Sequence, residues 1–188
     1  MTGARDAPLT IFTIGHSTRT LDEFVAALDA HGVRTVVDVR SLPGSRHAPQ
    51  FNADALENGL AAHGIGYRQL RALGGRRRAA PDTVNTGWRN AGFRGYADHM
   101  QTPEFAAGID ELVQIAERSP TTVMCAEAVP WRCHRSMIGD ALLVRGVEVL
   151  DIIGDGPARA ETLTSFAQVG GTDIVYPAPD ELDELDAN

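Results

Sequence analysis

Residues 125 to 135 carry two thiols (Cys125, Cys133), a carboxylate (Glu127), an imidazole (His134) and two guanidiniums (Arg132, Arg135). A connecting loop needs none of these groups. Cys133 precedes a helical pattern and is flanked by Arg132 and Arg135, a setting that favours the thiolate and makes it a candidate nucleophile or redox group. His134 and His16 are candidate proton carriers, and Glu127 is a candidate acid/base group where it is partly desolvated. Asp38 and Arg40 alternate onto one side of a strand, where they form either an internal ion pair or part of a site. Cys125 ends an apolar run and reads more readily as a small core residue than as a nucleophile. Arg135 in a first helical turn opposes the helix dipole, which calls for a compensating anion or carboxylate.

Named chemistries can be tested against the spacing. A deaminase-type zinc site needs His or Cys-x-Glu followed by Pro-Cys-x-x-Cys. Here Cys125-Ala-Glu127 is followed by Pro130-Trp-Arg-Cys133-His134, which is too close and wrongly spaced. Cys125, Cys133 and His134 match no standard zinc ligand spacing, and neither a phosphate loop nor a Gly-x-Gly-x-x-Gly fingerprint is present. No metal and no cofactor are therefore expected.

Positioning these residues falls to alternating strands and helices. An apolar run at 9–14 reads as a strand, followed by Gly15-His16-Ser17. Thr20 and Glu23 form a capping box, Leu21, Phe24, Val25 and Leu28 give a buried face, and Gly32 stops the helix. Residues 35–39 are a second strand, 53–63 a helix capped by Asn52, and 65–70 a third strand. Residues 74–95 show no sustained period, although Trp88 and Phe93 argue against disorder. Thr102-Pro103-Glu104 starts a helix. A strand at 122–124, a helix ending at Gly146 and a strand at 147–153 follow. Further on, 158–168 reads as a helix, 173–176 as an edge strand, and the acidic end as a frayed tail. The pattern predicts a single α/β domain with a mostly parallel, Rossmann-like sheet flanked by helices in three layers. Its core spans 1–154, with 155–188 as a C-terminal extension.

In such sheets ligands sit beyond the carboxyl ends of the strands. His16, Asp38 with Arg40 and Arg46, and the 125–135 cluster all follow strands on that edge, whereas the loops at the opposite edge are plain helix stops. Charge adds a second signal. The net charge of −8 argues against general coating of DNA, yet all 17 basic residues are arginine and seven lie between 68 and 94, a segment near +6. Arginines interleaved with Trp88, Phe93 and Tyr96 suit an anionic, ring-bearing ligand. No apolar run reaches membrane-span length, no signal-peptide core opens the chain, and two cysteines make no disulfide framework, so a cytoplasmic protein is expected.

The segments TIGHSTRTLDEF, VVDVRSLPGSRHAPQFN, LGGRRR, NTGWRNAGFRGYADHMQTPEF and MCAEAVPWRCHRSMIGDAL resemble, in this order, the family named domain of unknown function 488. The resemblance covers residues 10–153. It implies a bacterial or archaeal α/β protein of the cytosol and no settled reaction. The motif positions it carries over include His16, Asp38, Arg40, Arg46, Gly75, Trp88, Arg94, Gly95, Cys125, Glu127, Cys133, His134 and Arg135.

Together these readings predict an enzyme acting on a nucleotide or nucleic-acid-related substrate. Arg40, Arg46, Arg94, Arg135 and Trp88 would bind it, and Glu127, Cys133, His134, His16 and Asp38 would do chemistry. A non-catalytic nucleic-acid or nucleotide binding module and a thiol redox sensor using Cys125 and Cys133 are the alternatives.

Overall fold

A computed structural model describes residues 7–179. Five parallel strands form the sheet: β1 (Thr10–Gly15), β2 (Thr35–Asp38), β3 (Gly66–Gln69), β4 (Thr121–Cys125) and β5 (Glu148–Ile152). A short β6 (Arg159–Ala160) adds antiparallel to β5, giving the order β3-β2-β4-β1-β5-β6. β4 is thus inserted between β1 and β2, pairing with both. All five residues of β4 are buried, as a central strand covered on both faces must be.

Helices α1 (Leu21–Ala30) and α2 (Ala53–Ala61) cover one face, packing Phe24, Leu28, Leu56 and Leu60 on Ile14, Val36 and Met124. On the other face α3 (Ala91–His99), α4 (Pro103–Arg118) and α5 (Arg135–Leu143) pack Tyr96, Ile109, Leu112 and Met137 on Val37, Val123 and Val149. The alternation of side chains along each strand divides the two cores and fixes a single three-layer α/β domain. The expected capping box is present: Thr20 Oγ1 accepts from the Glu23 amide, and the Glu23 carboxylate accepts from the Thr20 amide. Thr102 and Pro103 open α4 as expected. Among the described residues no helix is long and apolar enough to cross a membrane.

Three expectations are corrected. The stretch without period hides α3, begun by Asn90, whose side chain accepts from the Gly92 and Phe93 amides. Gly92 and Gly95 depress its helical propensity, and the burial of Tyr96 and Ala97 compensates. Residues 158–168 form no helix. The Glu161 amide bonds the Val149 carbonyl, so pairing along β5 wins over local preference. The last strand, β8 (Asp173–Val175), is not an edge of the main sheet but pairs with β7 (Gln168–Gly170) in a separate hairpin. That hairpin leads into Tyr176, which is fully buried against α3–α5 and donates its hydroxyl to Asp140 at 2.8 Å. The acidic tail expected to fray lies outside the described residues.

Candidate functional site

The site begins where β1 and β4 end side by side. Their ladder continues past the strands: His16 N bonds Cys125 O and Ser17 N bonds Ala126 O, both at 2.9 Å. The loop after β4 lies directly on Gly15, where a Cβ would fall 1.6 Å from the Glu127 carbonyl oxygen. Only glycine permits that approach, and it fixes where the 125–135 loop leaves the sheet.

Cys133 sits just ahead of α5, 5% exposed. Its Sγ lies 3.5 Å from His134 Nδ1 and accepts the Arg135 amide at 3.5 Å. The other imidazole nitrogen, Nε2, is 3.0 Å from the Val39 carbonyl. A carbonyl only accepts, so Nε2 carries the hydrogen and Nδ1 presents its lone pair to the thiol. A thiol, an imidazole and a carbonyl orienting the imidazole are thus within reach of one another, the geometry that a nucleophile and its base would need. The ring is held on its other flank by Gly75, where a Cβ would come within 2.4 Å of Nδ1, and it packs on Tyr96 with centroids 4.9 Å apart.

The two thiols are electrostatically unequal. The Cys133 thiol is pushed down chiefly by the hydrogen bond it receives from Cys125, then by His134 and the Arg135 charge, against the opposing effect of burial. Cys125 is pushed up by that same contact and by its own burial. Position supports this assignment, because Cys133 and not Cys125 meets the helix-start amide and the imidazole.

Cys125, Cys133 and His134 form the floor of a hollow of about 280 Å³, with Glu127 exposed on its wall. Arg40, Arg76 and Arg132 give it positive charge, and Ser41, Asn90, Gly92 and Phe93 complete it. Residues from the ends of β2 and β4 and from the loops before α3 and α5 therefore converge on one opening at the carboxyl edge of the sheet.

Arg40 is held there by a buried scaffold. Asp38 is inaccessible and takes Arg40 Nε at 2.9 Å, Arg40 Nη2 at 2.6 Å and the Tyr67 hydroxyl at 2.7 Å. Arg40 Nη2 also donates to Phe51 O, and Nη1 lies 3.3 Å from His16 Nε2. His16 Nδ1 must donate to the Ser17 carbonyl at 2.9 Å, so Nε2 accepts from the guanidinium. Burial pushes the His16 pKa down, consistent with a neutral ring stacked on Phe51 at 4.3 Å. Neither Asp38 nor His16 lines the hollow. They stand behind Arg40, orient it, and leave one Nη1 hydrogen uncommitted among these contacts.

Other sequence candidates lie elsewhere. Arg46 is exposed and Arg94 half-buried on α3, both outside the lining. Trp88 turns inward against Phe93, Phe166 and Tyr176, with centroids 4.9 to 5.3 Å apart, because its large apolar area is worth more buried. Arg135 is 1% exposed and points beneath the loop, donating to Thr13 Oγ1 and the Glu127 carbonyl. Its conflict with the helix dipole is relieved by Asp151, which shares Thr13 with it. Nearby Glu161 is pushed up to about 9 by burial and by Asp151 and Asp140. Its Oε2 and Arg135 Nε have no hydrogen-bond partner.

Several lining residues escaped the sequence reading. Ser41, Asn90 and Gly92 had no chemical signal of their own, Arg76 and Phe93 stood out only as parts of the arginine and aromatic segment, and Arg132 only as a flank of Cys133. Among the described residues no group of three or more His, Cys, Asp or Glu side chains is arranged to hold a metal ion.

Fold and site together define an α/β protein with a cysteine–histidine pair at the carboxyl edge of a parallel sheet. The chain belongs to the family described as Domain of unknown function DUF488, whose model matches residues 20–142. Neither a curated protein nor a solved structure matches it.

Proposed function

We propose that this protein is an enzyme acting on an anionic, ring-bearing substrate, nucleotide or nucleic-acid related, with Cys133 as covalent nucleophile. The observation that carries the reading is the 3.5 Å approach of Cys133 Sγ to a His134 ring fixed by the Val39 carbonyl, in a hollow with three arginines. In this reading His134 takes the thiol proton and returns it to the leaving group. Arg40, Arg76 and Arg132 hold the anion, and Phe93 offers an apolar wall to a ring. Glu127 is the carboxylate available to activate water against the covalent intermediate. The volume suits one nucleotide unit or a strand end rather than a duplex.

The test is a screen of mononucleotides and short single strands for a Cys133-linked adduct by mass spectrometry, with Cys133→Ser as control. An adduct confined to Cys133 that disappears in Arg132→Ala supports the reading; turnover that survives Cys133→Ser refutes it. A non-catalytic binding role is favoured by the exposed Arg76 and Arg78 in a segment near +6. Strand binding that falls steeply with salt and is unchanged in Cys133→Ser would select that second reading.

A further inference from the structure

We infer that Cys125 and Cys133 form a peroxide-operated disulfide gate on the hollow, in which Cys133 is the oxidised thiol and Cys125 the one that resolves it. The inference rests on the reading of Cys133 as a reactive thiolate and adds a regulation of that same site. Both cysteines are free, both line the same hollow, and both belong to the same buried cluster under it. Resolving a sulfenic acid requires a second thiol close by, because further oxidation to the sulfinic acid competes. A Cys125 kept only for packing would have no need to open onto the hollow that Cys133 lines. Access comes through the hollow, since each residue is otherwise at most 5% exposed.

The chemistry balances with a hydroperoxide as oxidant. Cys133 S⁻ attacks the terminal peroxide oxygen, an S–O bond forms, and the O–O bond breaks. The departing alkoxide, or hydroxide from hydrogen peroxide, takes back from His134 Nδ1, which faces the sulfur, the proton that Cys133 gave to it on becoming the thiolate. Cys133 is oxidised by two electrons and the peroxide is reduced to alcohol or water. Cys125 sulfur then attacks the Cys133 sulfur, an S–S bond forms, the S–O bond breaks, and the Cys125 hydrogen leaves with the hydroxyl as water. The order is built in. The Cys133 anion holds Cys125 protonated, and that hold lapses once Cys133 becomes a neutral sulfenic acid, while Arg135 continues to favour the Cys125 thiolate. The resulting disulfide removes the nucleophile until a thiol reductant restores it.

The full-length protein is treated with hydrogen peroxide, and peptides are mapped without reduction. The expected product is a 125–133 linkage fully reversed by dithiothreitol. Cys133 accumulating as sulfinic acid beside a free Cys125 thiol overturns the gate. In Cys125→Ala the dithiothreitol-reversible fraction should be lost and Cys133 should run on to sulfinic acid; recovery equal to wild type overturns it. Iodoacetamide labelling before oxidation separates the two claims. Fast labelling of Cys133 without any disulfide sinks the gate and leaves the nucleophile standing, whereas a Cys133 inert at neutral pH sinks both.

Discussion

Glu161 lies against α5 with its Oε2 buried and unpartnered, so close that a Cβ on Gly139 would fall 2.2 Å from that atom. Burial first, then the neighbouring charges of Asp151 and Asp140, raises it from its ordinary 4.5 to about 9. The native state therefore keeps the proton over a range where the unfolded chain has released it. A raised carboxyl pKa costs nothing below the unfolded value, and the penalty grows as pH rises from there to the folded value. Linkage at 1.36 kcal/mol per unit puts the loss between pH 5 and pH 8 at about 4 kcal/mol, an upper figure for a group with some solvent access. Glu161→Gln keeps the shape and removes the titrating proton, so over that range its urea-unfolding free energy should fall by about 4 kcal/mol less than that of wild type. Asp140 and Asp151 are also raised by burial, but they remain in both proteins. Circular dichroism melts in urea at pH 5, 6, 7 and 8 supply the comparison. Parallel stability curves for the two proteins would show that Glu161 titrates normally and refute the reasoning.

Two further substitutions probe the scaffold of the site. Asp38→Asn leaves the buried Arg40 guanidinium without its counter-charge and should cost about 3–5 kcal/mol in urea unfolding; a loss below roughly 1 kcal/mol would mean that the pair is easily replaced by water. Gly75→Ala drives a methyl group into His134 Nδ1 and should slow Cys133 alkylation at neutral pH by about tenfold or more, with secondary structure unchanged by circular dichroism; an unchanged rate would mean that His134 does not govern the thiol.

The edge of the sheet that carries chemistry was legible because residues following strands at their carboxyl ends share one side of a parallel sheet whatever the strand order. Cys125, Glu127, Cys133, His134 and Arg40 could thus be brought to one place from topology alone. The insertion of β4 between β1 and β2 was not legible, since long crossovers carry no signal of which neighbour a strand joins. Direction was also hidden. Arg135 and Trp88 carry the right groups at plausible positions, but the fold turns one beneath the loop and the other into an aromatic cluster. Periodicity failed at α3, where glycines masked a helix held by tertiary packing. The orienting partner of His134 is the Val39 carbonyl, and a backbone group leaves no mark in side-chain identity.

The central claim is that Cys133 is a thiolate poised by its neighbours at neutral pH. Peptide-resolved alkylation of Cys133 with iodoacetamide across pH tests it most directly. The account predicts a rate that is already flat from roughly pH 6 to 8 in the native protein, and that reverts in urea to the rise of an ordinary thiol titrating near about 8.5. A native rate that instead climbs about tenfold per unit between pH 6 and 8, as it does for a free thiol, would contradict it.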